Sequence, residues 1–308
     1  MFMEQFREMI RPHHGASLAT ACICAVFSLH LSLSGTAQAA PIVFSASGGT
    51  TAAIQTQVDA FRAQLGTLNA NVAGSFGAGR REINWDGVPD ALAAPSNLAA
   101  NFFNLNSPRG VVFSTPGTGF QVSANAASAT AVEFGNINAS YPALFATFSA
   151  QRLFTAIGSN TTDVDFFVPG TSTDAVTRGF GAVFTDVDIA GSTSLTFFDN
   201  NNIVLGAFTV PASGGNGGLS FLGVFFNDPL PLVDRVRITS GTSALGPNDQ
   251  GQGFDLVVMD DFIYGEPIAR AAVATPAPAS LTLLASALVL LGARRRRALA
   301  DIATQSGD

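Results

Sequence analysis

The sequence predicts an all-β fold, a jelly-roll-like β-sandwich that carries one amphipathic helix near its N-terminal end. From residue 110 onwards, short segments rich in Phe, Val, Ile and Thr alternate with clusters of Gly, Pro, Asn and Asp. Residues of the first kind favour strands, and residues of the second kind favour turns. About ten such segments separated by turn signals are typical of a sandwich of antiparallel sheets.

The one long helix is predicted over residues 51–65. Apolar residues recur there at spacings of four, three and four, which places them on one face of a helix, and Gly66 ends the pattern. We expect this face to pack on the sandwich. Its members are Ile54, Val58, Phe61 and Leu65.

A short strand is predicted before the helix, at residues 41–44. Residues 74–108 are predicted to be irregular, because Gly, Pro and Asn are scattered through them. The later strands are predicted at residues 111–114, 120–124, 131–134, 153–157, 164–168, 180–187, 194–198, 203–210, 219–226, 233–239 and 254–264.

The N-terminal residues 1–39 have the features of a secretory signal peptide. Arginines precede a mostly apolar stretch, residues 18–33, and Ala37 and Ala39 supply the small side chains that a signal peptidase requires. The mature chain is therefore predicted to start at Ala40, and its β-sandwich domain to span residues 40–266.

The C-terminal part divides into a linker with a sorting motif (267–280), an apolar segment (281–293) and a cationic tail (294–308). A membrane-spanning helix usually needs about 20 apolar residues, and residues 277–293 approach that length. Burial against the body is the alternative, but a run of four arginines would then need partners. The run instead suits the cytoplasmic side of a membrane. It consists of Arg294, Arg295, Arg296 and Arg297.

This three-part order resembles the PEP-CTERM sorting signal of bacteria with an outer membrane. Its proline motif is Pro276, Ala277 and Pro278, followed by the apolar segment and the arginine run. The chain departs from the family at Ala277, where glutamate is usual. The resemblance implies an exosortase, a membrane-embedded protease, as partner. It also implies a transient inner-membrane anchor and release to the cell surface or extracellular matrix.

Composition excludes several classes of chemistry. Both cysteines and all three histidines precede Ala40, and the chain contains no lysine. A mature chain without these side chains has no disulfide, no Cys/His zinc site and no Ser-His-Asp or Cys-His mechanism. Residues 40–275 contain nine arginines and eighteen acidic residues, a formal charge of −9. Such a surface disfavours nucleic acid, whose binding relies on neutralised phosphates.

Trp85 and Asp86 are the predicted ligand-binding residues. Trp85 is the single tryptophan and lies in the irregular segment, beside Asn84 and Asp86. An exposed indole there would stack on a sugar ring. The alternative is a core residue at the edge of the sandwich, with Asp86 and Gly87 forming a turn.

Asp260 and Asp261 are the first predicted metal ligands. Strand alternation would place them on opposite faces, and both faces are otherwise apolar. At least one carboxylate should therefore be buried and need an arginine, backbone donors or a cation. The segment resembles the last strand of jelly-roll carbohydrate-binding modules, in which an aspartate often ligates structural calcium.

Two further acidic pairs have the spacing of one strand face. Asp186 and Asp188 are predicted calcium ligands, and Asp163 and Asp165 form a similar pair. Alternatively, these pairs are solvated strand ends or form ion pairs. The arginines considered for such ion pairs are Arg178, Arg235 and Arg237.

Together these features predict a non-enzymatic adhesion or polysaccharide-binding protein of the envelope or matrix, with structural calcium as its one candidate cofactor. No catalytic residue is assigned. The rival hypothesis is a glycoside hydrolase that uses paired carboxylates, the common hydrolytic scheme that the composition leaves open. A matrix component without a small ligand is the third.

Overall fold

A computed structural model describes residues 40–230, 232–249 and 253–270, which all belong to one compact unit. The predicted signal peptide, sorting motif, apolar segment and arginine run lie outside these residues. Within the described ranges, no helix combines the length and the apolar character needed to cross a membrane.

The body is all-β, with two antiparallel sheets packed as a sandwich. Its strands are β1 (Ile42–Gly48), β2 (Arg80–Ile83), β3 (Val111–Ser114), β4 (Gly119–Val122), β5 (Phe154–Ile157), β6 (Thr161–Phe166), β7 (Ala175–Val176), β8 (Gly179–Thr185), β9 (Ser194–Phe198), β10 (Val204–Thr209), β11 (Leu219–Phe225), β12 (Arg235–Thr239), β13 (Val258–Gly265) and β14 (Ile268–Ala269).

One sheet has seven strands, in the order β1-β11-β8-β13-β5-β4, with β2 also paired to β13. The second sheet has five, in the order β10-β9-β12-β6-β3, and β14 pairs with β7. Strands β8, β11 and β13 are buried along their whole length. Coverage on both faces explains why these segments are almost continuously apolar.

Two α-helices, α1 (Thr51–Leu65) and α2 (Phe102–Leu105), accompany the sheets. The bounds predicted for α1 and its buried face are confirmed. Gly181 of β8 and Gly223 of β11 lie opposite each other beneath it. A Cβ atom on either would come within 2.9 Å of the Phe61 ring, so glycine is what allows α1 to approach the sheet.

Aromatic rings fill the space between the sheets. Trp85 stacks on Phe154 with ring centroids 4.0 Å apart, and Phe262 meets Trp85 edge-on at 5.1 Å. Such contacts add about 0.5–1.5 kcal/mol each to the hydrophobic gain. This cluster contacts the Asp260–Asp261 segment of β13, because the indole N–H of Trp85 donates to the Asp260 carbonyl at 2.7 Å.

The structure corrects the prediction in three places. Residues 131–134 form no strand; they contain one isolated bridge, and Phe134 has a φ of 60°. Residues 80–83 lie in the segment predicted to be irregular from its scattered Gly, Pro and Asn, yet they form strand β2, in which Arg81 is fully buried. Finally, β14 lies within the predicted linker, so the folded body extends at least to Arg270, whose side chain pairs with Asp234.

Candidate functional site

Both carboxylates of the Asp260–Asp261 pair point to one side of β13, because a β-bulge interrupts the strand there. Between Met259 and Phe262, the register with β8 shifts by one residue. The extra residue breaks the alternation of faces, so the prediction of opposite faces is wrong. Ser149 Oγ reaches both side chains, at 3.2 Å from Asp260 Oδ1 and 2.7 Å from Asp261 Oδ1.

Burial of this pair is nearly complete, with exposed fractions of 0% for Asp260 and 3% for Asp261. The prediction that at least one is buried is confirmed. Asp260 Oδ2 accepts the backbone N–H groups of Phe148 at 2.6 Å and Ser149 at 3.2 Å. Asp261 Oδ2 lies 3.3 Å from Arg62 Nη2. Backbone donors, a hydroxyl and an arginine therefore supply the compensation that motivated a calcium ion here.

Burial also changes the acidity of the pair. It raises the pKa of Asp260 well above its ordinary value, and the neighbouring carboxylate of Asp261 raises it further. Burial raises the pKa of Asp261 as well, although Ser149 and Arg62 act in the opposite direction. The pair therefore retains a proton at a higher pH than ordinary aspartates do.

A cleft of about 410 Å³ lies beside this pair, bordered by α1 and β2, and we call it the α1–β2 cleft. Its volume falls in the range of small-ligand sites, roughly 300–1,000 Å³. Amide, guanidinium and carboxylate groups give it both donors and acceptors of hydrogen bonds. The lining residues are Arg62, Leu68, Asn69, Asn71, Glu82, Asn84, Arg109, Phe148, Ser149 and Asp261.

The charged side chains of the α1–β2 cleft form ion pairs and hydrogen bonds within the protein. Arg62 Nη2 lies 2.9 Å from Glu82 Oε2 and contacts Asp261 as well. Glu82 also receives a hydrogen bond from Arg80 Nε at 2.6 Å. Arg109 Nε donates to the Glu82 carbonyl at 2.8 Å. These contacts fix the charges, so the exposed amides of Asn71 and Asn84 are the groups most available to a ligand.

Trp85 is not part of this cleft. Its exposed fraction is 1%, so the prediction of an exposed sugar-stacking indole is wrong and the core alternative is confirmed. The indole Nε1 donates to the Asp260 carbonyl at 2.7 Å. Asp86 Oδ1 accepts the backbone N–H of Arg152 at 3.1 Å, which ties down a neighbouring loop, and Asp86 does not line the cleft either.

The Asp163–Asp165 pair lies on β6. Asp163 receives two hydrogen bonds of 2.8 Å from Arg237 and lies 3.2 Å from Arg235, so the ion-pair alternative holds for Asp163. Burial, and secondarily the Asp163 carboxylate, raise the pKa of Asp165 to about 6.

Asp186 and Asp188 follow β8 and line a second cleft, of about 230 Å³, together with Asp249. The structure therefore separates these two from Asp260 and Asp261, and the four predicted metal ligands do not form one site. In the described part of the chain, no three Asp, Glu, His or Cys side chains form a group able to hold a metal ion. A calcium role for Asp186 and Asp188 stays a prediction.

Sequence reasoning missed most of the α1–β2 cleft. In the sequence, Arg62 lies on the polar side of the predicted α1, and Glu82 and Asn84 lie close to Trp85, while no prediction covers Ser149. These side chains come from segments far apart in the chain, and the pairing of β2 with β13 is one of the contacts that bring them together. The one local signal was the density of asparagine and charge at residues 69–84.

Comparison with known proteins yields little. No family model and no curated protein matches the chain. Among solved structures, it is similar to the enzymatically active domain of tailspike protein 4 from bacteriophage CBA120, at 12% identity and a TM-score of 0.26. The match covers 58% of this chain and 22% of that one. A likeness of this extent establishes neither a fold nor a function.

Proposed function

We propose that this chain is an exported cell-surface or extracellular-matrix protein whose body binds polysaccharide without cleaving it. The observation that carries the proposal is the α1–β2 cleft. Sugar rings present hydroxyl groups, which need donors and acceptors, and C–H faces, which need apolar contact. The cleft offers the exposed amides of Asn71 and Asn84 next to Leu68, half of whose surface is exposed. This combination suits a neutral glycan.

The cellular address in this proposal comes from the sequence. The motif at residues 276–278, the apolar segment and the arginine run support sorting by a PEP-CTERM-type system with an exosortase as partner. The apolar segment would hold the chain in the inner membrane before processing.

Strand order supports the finer assignment of the body as a jelly roll. Eight strands lie in two facing rows of four, β5-β13-β8-β11 and β6-β12-β9-β10. The chain passes from one row to the other six times between β5 and β13. Eight strands in two sheets are the architecture of a jelly roll, which also occurs in lectin domains.

A glycan array followed by titration of each positive polysaccharide tests the proposal. The variant Asn71→Ala/Asn84→Ala should weaken binding about 10-fold, because two hydrogen bonds contribute roughly 1–3 kcal/mol together. Asn227→Ala is the matched control, since Asn227 is equally exposed and lies outside the cleft. If no polysaccharide binds, the function is wrong. If the double variant binds as the wild type does, the cleft is the wrong site.

Glycoside hydrolysis is the second candidate, and one observation favours it. Glu82 and Asp261 both contact Arg62 Nη2, so two carboxylates face one cleft, and burial raises the pKa of Asp261. An acid beside an ionised carboxylate is the pairing that glycosidases use. Reducing ends released from a bound polysaccharide, and abolished by Glu82→Gln, would establish this activity in place of simple binding.

A further inference from the structure

A second cleft, distinct from the α1–β2 cleft, collects carboxylates near the C-terminal end of β8. We call it the acidic cleft. Asp186 and Asp188 come from the segment after β8, and Asp249 comes from the loop that precedes β13. Asp255 lies close by, because its carboxylate accepts the Asp188 backbone N–H at 2.9 Å. The other residues that line the cleft are Ser140, Leu144, Asn216, Phe254 and Leu256.

Asp186 is the unusual member of this group. Only 4% of its surface is exposed, and its Oδ1 has no hydrogen-bond partner among the described residues. The Gly217 backbone N–H lies close to this carboxylate but donates to the Leu144 carbonyl at 2.6 Å. A buried carboxylate oxygen without a partner destabilises the folded state, because it has lost its hydrogen bonds to water. This oxygen belongs to a side chain that lines the cleft, so a ligand there is placed to satisfy it.

The neighbouring aspartates Asp188 and Asp249 accept hydrogen bonds from neutral backbone N–H groups. Asp188 accepts the Gly215 N–H at 2.8 Å, and Asp249 accepts the Gly246 N–H at 2.7 Å. None of the aspartates at the acidic cleft forms an ion pair within the described ranges, in contrast to Asp163 with its two arginines. The cleft thus concentrates negative charge that none of the arginines in the described ranges offsets.

We propose that the acidic cleft binds one calcium ion, with Asp186 Oδ1 and Asp188 as its carboxylate ligands. The remaining oxygens would come from the side chains of Ser140 or Asn216 and from water. Calcium accepts six to eight oxygens in a flexible arrangement and does not require three carboxylates. Extracellular modules of this kind bind calcium at roughly 10⁻⁴–10⁻³ M. The site is independent of the proposed glycan binding and would stabilise the end of the sandwich where β8 ends and β13 begins.

Thermal unfolding of the full-length chain at pH 7 tests the site. In 10 mM CaCl₂ the Tm should exceed the Tm in EGTA by about 3–10 °C, as mass action predicts for a 10- to 100-fold excess over the dissociation constant. The same concentration of MgCl₂ should produce a clearly smaller shift, because Mg²⁺ demands stricter octahedral geometry.

Asp186→Asn should abolish the calcium shift while keeping the Tm in EGTA at or above the wild-type value, because it removes an unpaired buried charge. Asp163→Asn is the matched control, since Asp163 is satisfied by arginines, and it should keep the full calcium shift. If Asp186→Asn does not fold, Asp188→Asn provides the test by losing or keeping the shift. Equal Tm values in calcium and EGTA, an equal shift with magnesium, or a full shift in the Asp186 or Asp188 variant would each overturn the proposal.

Discussion

Asp260 shows how a single side chain can hold a strand and a loop together. It lies in the middle of β13, is completely buried, and accepts hydrogen bonds from Phe148 and Ser149 in the loop above it. Its own carbonyl accepts the indole N–H of Trp85 from the opposite side. Because burial and Asp261 both raise its pKa, a neutral group of the same shape should serve in its place.

We therefore expect Asp260→Asn to change the free energy of unfolding at pH 7 by less than about 1 kcal/mol. Asp260→Ala should cost about 1–3 kcal/mol, because it leaves the Phe148 and Ser149 N–H groups without an acceptor. The folded-state pKa is raised, so this carboxyl contributes its full stability below the unfolded-state pKa. That contribution disappears as the pH rises through the folded-state pKa.

Urea denaturation of the wild type and both variants at pH 5 and pH 9 measures these differences. Asp260→Asn should lose less stability than the wild type between the two values. An asparagine variant as unstable as the alanine variant at pH 7 would mean that Asp260 is ionised in the folded chain.

The spacing of the acidic pairs did not predict which groups each aspartate would contact. Asp163, Asp186 and Asp260 all belong to closely spaced pairs, yet their partners differ. Asp163 forms ion pairs, Asp186 has an oxygen without a hydrogen-bond partner among the described residues, and Asp260 accepts hydrogen bonds from backbone N–H groups. Each outcome depends on residues distant in sequence, such as Arg237 or Ser149. Burial of the Asp260 segment was predictable because its neighbours are apolar, but the identity of its partners was not.

At the level of elements, α1 depends on a pair of glycines in the strands below it. Gly181 and Gly223 face each other across β8 and β11, and Phe61 of α1 lies directly on them.

The helix and most strands were predictable from periodicity and turn residues, because those signals are local. The bulge in β13 was not, because it arises where the neighbours of β13 change from β5 to β2.

Gly223→Ala should destabilise the body by about 1–3 kcal/mol, because the added methyl group would meet the Phe61 ring at 2.8 Å. Gly49→Ala is the control, since a Cβ atom there meets nothing within 4 Å, and its effect should stay within about 0.5 kcal/mol. Chemical denaturation with a helix signal and a core fluorescence signal measures both variants. Equal stabilities for the two would show that α1 tolerates displacement from the sheet.

Across the molecule as a whole, a buried ion pair ties the end of the body to its interior. Glu266 follows β13 and meets Arg81 of β2, with Nε–Oε2 and Nη2–Oε1 distances of 2.7 and 2.8 Å and no exposure of either side chain. Arg81 also donates to the carbonyls of Ala70, Gly74 and Pro108. The predicted domain boundary at residue 266 therefore falls on a residue of the buried core and not at the start of a linker.

Glu266→Ala should cost about 3–5 kcal/mol, because it leaves the Arg81 guanidinium buried without a counter-charge. Asp163→Ala removes the carboxylate from a partly exposed pair and should cost no more than about 1 kcal/mol. The double variant Arg81→Met/Glu266→Leu should recover part of the loss, since apolar residues can replace a buried ion pair. Calorimetry of the wild type and the three variants measures these changes in the free energy of unfolding. A loss of less than about 1 kcal/mol in Glu266→Ala would mean that solvent reaches Arg81.

The pairing of β1 with β11 and of β2 with β13 also governs when the chain can fold. Ile42 pairs with Phe225, and Ile83 pairs with Phe262, so both early strands must wait for partners made near the end of synthesis. Closing such long loops carries an entropic cost before any contact offsets it, and topologies of this kind fold in about milliseconds to seconds. In a chain that emerges N-terminus first, from a ribosome or through a translocation channel, β1 stays unpaired until β11 has emerged and β2 until β13 has emerged. The body therefore completes its fold only after β13 has emerged.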